Sequence, residues 1–329
     1  MLPLKKAIQF FSAFTIFLVL HYSAYCWGFY AHQKINYFAV FLLPPEMLVL
    51  YKPNISFLSE HAIDPDKRRY AVPDEGARHY IDIDQYGKHP YDNLPQKWND
   101  AVDKFGVDTL KLHGIVPWHI QTMLYRLTDA FKVKNFSLIM RYSAEIGHYI
   151  ADAHVPLHAS SNHNGQFTNQ KGIHGFWESR VPELLAEKEF NFFIGKANYI
   201  KIPSDFIWMR VFESAKAADT VLLYERDLTL QFADDKKYAF EKRNGKTIRQ
   251  YSAAFTIAYN KKLNGMVERR MRDSIYAIAS FWYTAWVNAG QPDLKGLINQ
   301  KFSNTDNQEF KTLNEQWSLG NKMIGREEQ

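Results

Sequence analysis

One cysteine, Cys26, stands among 329 residues. A chain so poor in sulfur cannot be stapled by disulfides, and its stability must come from an apolar core or from bound metal. Charge of a single sign is also missing. Forty Lys and Arg against 35 Asp and Glu leave a formal +5, too little to argue for nucleic acid by electrostatics alone. No Gly/Ser-rich or charge-run linker divides the chain, and no internal repeat recurs along it, which argues for one domain. The apolar run from Ala7 to Leu20 falls short of the roughly 20 residues that a spanning helix needs.

What is present is an ordinary globular balance: 46% hydrophobic, 16% aromatic and 23% charged residues, ample for a sizeable core. The N-terminus has the form of a secretory signal, with Lys5 and Lys6 ahead of the apolar run and Ala24 and Cys26 as the small residues of a cleavage site that would expose Trp27. Two alternatives stand beside this: an uncleaved anchor, and a lipidated Cys26, against which the bulk of Tyr25 speaks. The expected organisation is a signal peptide over 1–26, one domain over 27–300 and a polar, frayed tail over 301–329. The product would be exported, periplasmic or secreted, and monomeric without a stable protein partner.

The pattern beyond Trp27 predicts an all-α, single-domain multi-helix bundle. In the segment from Trp118 to Lys132, Ile120, Leu124, Leu127 and Phe131 share one face, and Pro117 sits where a helix can begin. A second helix is expected from Phe136 up to Val155, before Pro156. Two more are expected over 206–225 and 250–290, the latter a single long helix ending at Gly290 and Pro292. The stretch from Asp64 to Asp108 reads as loops around short helices.

Chemistry concentrates in "HYIADAHVPLH", residues 148–158. His148 and Asp152 lie four apart on a helix and project from one face, where they can chelate one cation. His158 lies past the Pro156 turn, cannot share that register, and would serve a neighbouring metal. His174 and Glu178 repeat the four-residue spacing after a Gly/Asn-rich loop. Nitrogen and carboxylate ligands without sulfur suit zinc in open, catalytic sites. A lone His/Asp pair on a helix is usually only a hydrogen-bonded pair; two such pairs in thirty residues, with a histidine between them, favour metal. His154 faces elsewhere and reads as structural or as a support to the ligands, His163 as solvated, and His113 and His119 as ordinary core or surface residues.

The order of Trp27, His32, Asp64, His79, His148, Asp152, His158, His174 and Glu178 resembles the motif series of the zinc-dependent phospholipase C and S1/P1 nuclease superfamily, an all-α fold holding three Zn²⁺. The resemblance runs from Trp27 to Glu178 by motifs, and more loosely through the helix that begins near Arg270. It implies that Asp64, His79, His148 and Asp152 hold one zinc, that Asp152 bridges to a second held by His32 and by the free α-amine and carbonyl of Trp27, and that His158, His174 and Glu178 hold the third. Trp27 would become a ligand only once the signal is cut, because an α-amine with a pKa of about 7.7–8.0 yields its proton to a metal readily. Asp82 is read as structural or as a support to the ligands. Asp64, Asp152 and Glu178 would be the catalytic carboxylates, with Asp64 also orienting water by analogy.

The implied reaction is hydrolysis of a phosphodiester P–O bond with no covalent enzyme intermediate. Glu178, where the nuclease branch typically has Asp, the short gap between His158 and His174, and the lack of disulfide cysteines favour a phospholipid head group. The step from Asp64 to His79, and Tyr80 as an aromatic able to stack on a base or simply to pack in the core, favour single-stranded nucleic acid. A non-catalytic zinc-binding envelope protein is the reading from another class.

Overall fold

The computed structural model describes residues 28–243, 246–319, 323, 324 and 326. The signal-like segment, its cleavage point and Trp27 lie outside the described residues. Helices joined by loops make up the described chain, and its one sheet among the described residues is an antiparallel hairpin, Tyr238–Arg243 paired with Lys246–Tyr251. No described helix is long and apolar enough to cross a membrane.

The centre is a helical hairpin. Val116–Lys132 carries Pro117 at its start, where a missing N–H costs nothing. Phe136–Ala153 follows a tight turn in which Lys134 takes φ +50°, and Asn135 caps it by accepting from the Leu138 N–H at 3.0 Å. Both bury their apolar faces against each other and against Met266–Asn288. Trp282 of that third helix donates its indole N–H to the Ser143 carbonyl at 2.9 Å, and Tyr51 closes the same spot at 2.8 Å from the Ser143 hydroxyl. Phe29–Val40 lies across this core. Its Asn36 side chain donates to the carbonyls of Leu58 and Ala144, each at 3.0 Å. Close approach is possible because residue 147 is glycine: a Cβ there would stand 2.1 Å from the Asn36 amide oxygen.

Three expectations change. The long helix foreseen over 250–290 is two, Ala253–Lys262 and Met266–Asn288, broken where Asn264 and Gly265 take φ +50° and +71°. Residues at its foreseen start belong instead to the hairpin, which weak alternation and a basic composition concealed. The segment after Lys301, expected to be frayed, includes a regular helix among its described residues. This helix, Asn304–Ser318, is begun by a capping box between Ser303 and Asp306 and packed beside Asp64–Arg68. Beyond it, Arg326 lays its guanidinium 3.9 Å over the Tyr80 ring, pairs with Asp82, and donates to the Leu157 carbonyl at 3.3 Å.

Candidate metal centre

The Phe136–Ala153 helix presents His148 and Asp152 one turn apart on its buried face, at 0% and 1% exposure. Val155 then takes extended angles (φ −79°, ψ 120°), as the residue before a proline must. This frees the chain to swing His158 out of the helical register. His32 comes from the Phe29–Val40 helix, its ring stacked 3.9 Å from that of His148. His79 enters from a short turn over Gly76–Arg78.

Asp152 sits at the middle. One carboxylate oxygen lies 3.0 Å from His79 Nδ1 and 3.2 Å from His148 Nε2; the other lies 3.4 Å from His32 Nε2 and 4.0 Å from His158 Nδ1. His158, His174 and Glu178 form a second group, with Nε2 to Nε2 at 3.1 Å and the Glu178 carboxylate 2.9 Å from His174 and 3.4 Å from His158. Glu178 reaches there from a wide π-turn, Phe176–Arg180, a local irregularity common at functional sites. Gly28, the first described residue, donates its N–H to Ser179 at 3.0 Å, beside Glu178.

Hydrogen bonds fix which ring atoms face inward. His148 Nδ1 lies 2.8 Å from the Ala62 carbonyl and must donate to it, leaving Nε2 a bare lone pair. His158 Nδ1 is likewise 2.6 Å from the His79 carbonyl. Each inward lone pair therefore faces carboxylate or imidazole lone pairs in a buried space. Such an arrangement repels itself unless a cation or a proton lies between. Burial, reinforced by the neighbouring His32, holds His148 down to about 3, so a proton is not the natural occupant of that site. At His79 burial also works against charge but is outweighed by Asp152 and Glu75, which lift it to about 9; there a metal would compete with a proton for Nδ1. Burial raises the carboxylate range too, but His148 and His158 hold Asp152 well below it.

The expected acid at the mouth of this group is displaced by two residues. Asp64 does not point inward: its carboxylate is held by His61 at 2.6 Å and Lys67 at 3.0 Å. Asp66, two residues further along the same short helix, lies 3.7 Å from His79 Nδ1 and 3.6 Å from His148 Nε2. Neither of its oxygens has a hydrogen-bond partner, and burial lifts it to about 7. His32, Asp66 and His148 have donor atoms close enough to share an ion, as do His79, His148 and Asp152, and His158, His174 and Glu178. In "HAIDPDKRR" the two aspartates are equivalent as sequence; only the grip of Lys67 and His61 on the first separates them.

Support residues surround these ligands. Glu75, fully buried, sits 3.6 Å from His79 Nε2 and is itself held by Arg78 at 2.6 Å, Arg68 at 3.3 Å and the Tyr149 hydroxyl. Burial opposes its charge, but His79 and Arg68 hold it far below the usual carboxylate range. Sequence reading missed Glu75, although its four-residue spacing to His79 was a signal. His154 turns away and donates to its own helix at Ile150, 2.7 Å. His163, expected in solvent, is buried near the His174 ring. Tyr80 is buried, bonds the Leu112 carbonyl at 3.1 Å and is roofed by Arg326, so no ring face is open to a base. Asp82 is tied to Arg326.

An all-α protein that gathers imidazoles and carboxylates into adjoining buried groups defines a class of metal-dependent hydrolase. The comparison with known families agrees: residues 31–256 match the family model for zinc dependent phospholipase C, well over half of the chain, and the protein belongs to that family. It is thus a zinc-dependent hydrolase of phosphoric ester bonds. Comparison with curated proteins gives no match.

Proposed function

We propose that the protein is an exported phospholipase C working with three zinc ions, and that it cleaves the P–O bond between the diacylglycerol oxygen and the head-group phosphate. The carrying observation is the set of inward lone pairs around Asp152, whose carboxylate faces His79 and His148 on one side and His32 on the other. In this reading His79, His148, Asp152 and Asp66 hold one zinc. His32 and the α-amine and carbonyl of Trp27 hold a second, with Asp152 shared, and His158, His174 and Glu178 hold the third. Asp66 replaces Asp64 because its oxygens are free of other partners.

Bound there, zinc would lower the pKa of water and neutralise charge developing on the phosphoryl oxygens. The chain's own part is to hold the ligands rigid and dry. The Ala62 and His79 carbonyls fix two imidazole tautomers, and Glu75 backs a third ring. Asp66 is the carboxylate placed to orient water, since it stands 3.7 Å from His79 Nδ1 and 3.6 Å from His148 Nε2 with neither oxygen held by a hydrogen bond.

The test is a substrate panel with metal analysis on correctly trimmed protein. Release of phosphocholine from phosphatidylcholine without degradation of single-stranded DNA or RNA, at three zincs per chain, is expected. Degradation of nucleic acid alone would overturn the lipid reading, and full zinc occupancy with neither activity would leave only a zinc-binding scaffold. An extra residue ahead of Trp27 should remove one zinc; retention of all three would disprove the terminal ligand.

A further inference from the structure

The hairpin Tyr238–Tyr251 is foreign to a helical fold and contributes no residue to the candidate ligand groups. It is fastened at its base and otherwise projects. Tyr251 stacks on Phe176 at 3.8 Å with rings 20° apart, and Arg180 reaches both the Tyr251 carbonyl at 3.2 Å and Glu241 at 2.6 Å. Phe176 and Arg180 bracket Glu178 on the π-turn. The hairpin therefore packs against the turn that carries Glu178.

Two properties of its outer part stand out. Phe240 is 74% exposed, with the neighbouring Lys242 and the facing Arg249 also in solvent. Between Tyr238 and Tyr251 the sequence carries Lys242, Arg243, Lys246 and Arg249 against Glu241 alone, and Glu241 is already neutralised by Arg180. Nearby elements add apolar groups in water. Leu230 is 83% exposed at the end of the Pro203–Thr229 helix, and Phe167 is 72% exposed in the loop before His174. Both elements are tied to the hairpin through buried Glu225, which accepts from Gln170 at 2.5 Å, Tyr251 at 3.0 Å and Lys237 at 2.7 Å. Exposed aromatic and aliphatic side chains beside the exposed cations Lys242 and Arg249 are the chemistry of a lipid interface: the apolar groups enter the head-group boundary, and Lys and Arg meet anionic phosphates.

We propose that the hairpin is a docking element for an anionic phospholipid bilayer, which it holds next to the His158, His174 and Glu178 end of the metal centre. This rests on the phospholipase reading for its purpose but not for its test, because binding and hydrolysis are read separately.

Full-length mature protein is mixed with vesicles of phosphatidylcholine alone or of an equal mixture with phosphatidylglycerol, and sedimentation is read before hydrolysis alters the lipid. The protein should bind the mixed vesicles about tenfold more tightly, with the preference shrinking as salt is raised. Phe240→Ser combined with Lys242→Glu should remove most of that binding. Turnover of a water-soluble short-chain phosphodiester and the zinc content should stay unchanged, which excludes a folding defect. Equal binding to both vesicles, equal binding by variant and parent, or loss of soluble-substrate turnover with binding would overturn the proposal. If no phosphodiester is cleaved by either protein yet the variant still loses vesicle binding, docking stands and the substrate reading falls.

Discussion

The two candidate ligand groups are built differently. His158, His174 and Glu178 come from one continuous stretch of chain, closed by a loop whose Asn164 side chain accepts from the Gly172 N–H at 2.8 Å. His32, Asp66, His79, His148 and Asp152 come from four separate segments that meet only when Phe29–Val40 packs on the central hairpin. The first group is a local clasp, while the second is a product of the whole core. Damage to the core should therefore reach the second group and spare the first, and within the second group Asp152, which faces His79 and His148 through one oxygen and His32 through the other, should matter most.

The largest effect is expected from Asp152→Asn. Removing the charge shared within the multi-segment group, between the His79 and His148 side and the His32 side, should cost more than about 100-fold in kcat/KM, beyond the 10–100-fold typical of supporting residues, with loss of more than one zinc in elemental analysis. Glu178→Gln should cost one zinc and leave the others. If both variants lose the same single ion, the shared role of Asp152 is wrong.

The aspartate pair gives a second contrast. Asp66→Asn should lower zinc content and turnover with little change in the stability of the metal-free protein. Asp64→Asn should keep the zinc but destabilise by about 3 kcal/mol, because Lys67, 7% exposed, loses its carboxylate partner. Denaturation midpoints and metal analysis on the two proteins decide it; the opposite assignment of effects would restore Asp64 as the ligand.

Glu75→Gln should act more mildly, lowering zinc affinity or turnover about 10–100-fold through a looser His79 ring. Chelator competition should place that loss in the multi-segment group and none in the clasp. A uniform loss across all ions would mean that Glu75 merely supports the fold.

The smallest and most general effect is on stability in acid. Burial holds His119 and His154 down to about 3 in the folded chain, against an ordinary 6.5. A depressed folded pKa gives stability that is complete above 6.5 and is lost as pH falls through 6.5 towards 3. Each group should contribute on the order of 1.4 kcal/mol per pH unit in that window. Thermal unfolding of metal-free protein should show Tm dropping below pH 6.5, and His154→Gln should flatten the slope by about a third, because His148 is held down to about 3 in the same way. An unchanged slope would show that other groups control acid unfolding.

The contrast between the two groups also explains what could be read in advance. Pairs four residues apart, His148 with Asp152 and His174 with Glu178, are legible because helical geometry alone brings them together. The break that separates His158 is legible from Pro156. The choice between Asp64 and Asp66 is not, since it turns on Lys67 and His61 claiming one carboxylate. Glu75 is a buried support whose meaning depends on Arg68, Arg78 and Tyr149 converging from elsewhere. The C-terminal helix was hidden by its polar composition, although Ser303 and Asp306 had the spacing of a cap.

By itself, then, the sequence determined the helical class, the metal-binding character and the paired ligands, because all three follow from composition and from short-range periodicity. Only the tertiary structure decided which aspartate faces the centre, which ring nitrogens are left bare, that Arg326 roofs Tyr80, and that a basic hairpin stands beside Glu178. Those choices are set by competition among groups far apart in the chain, and a linear pattern carries no information about which competitor arrives first at a shared partner.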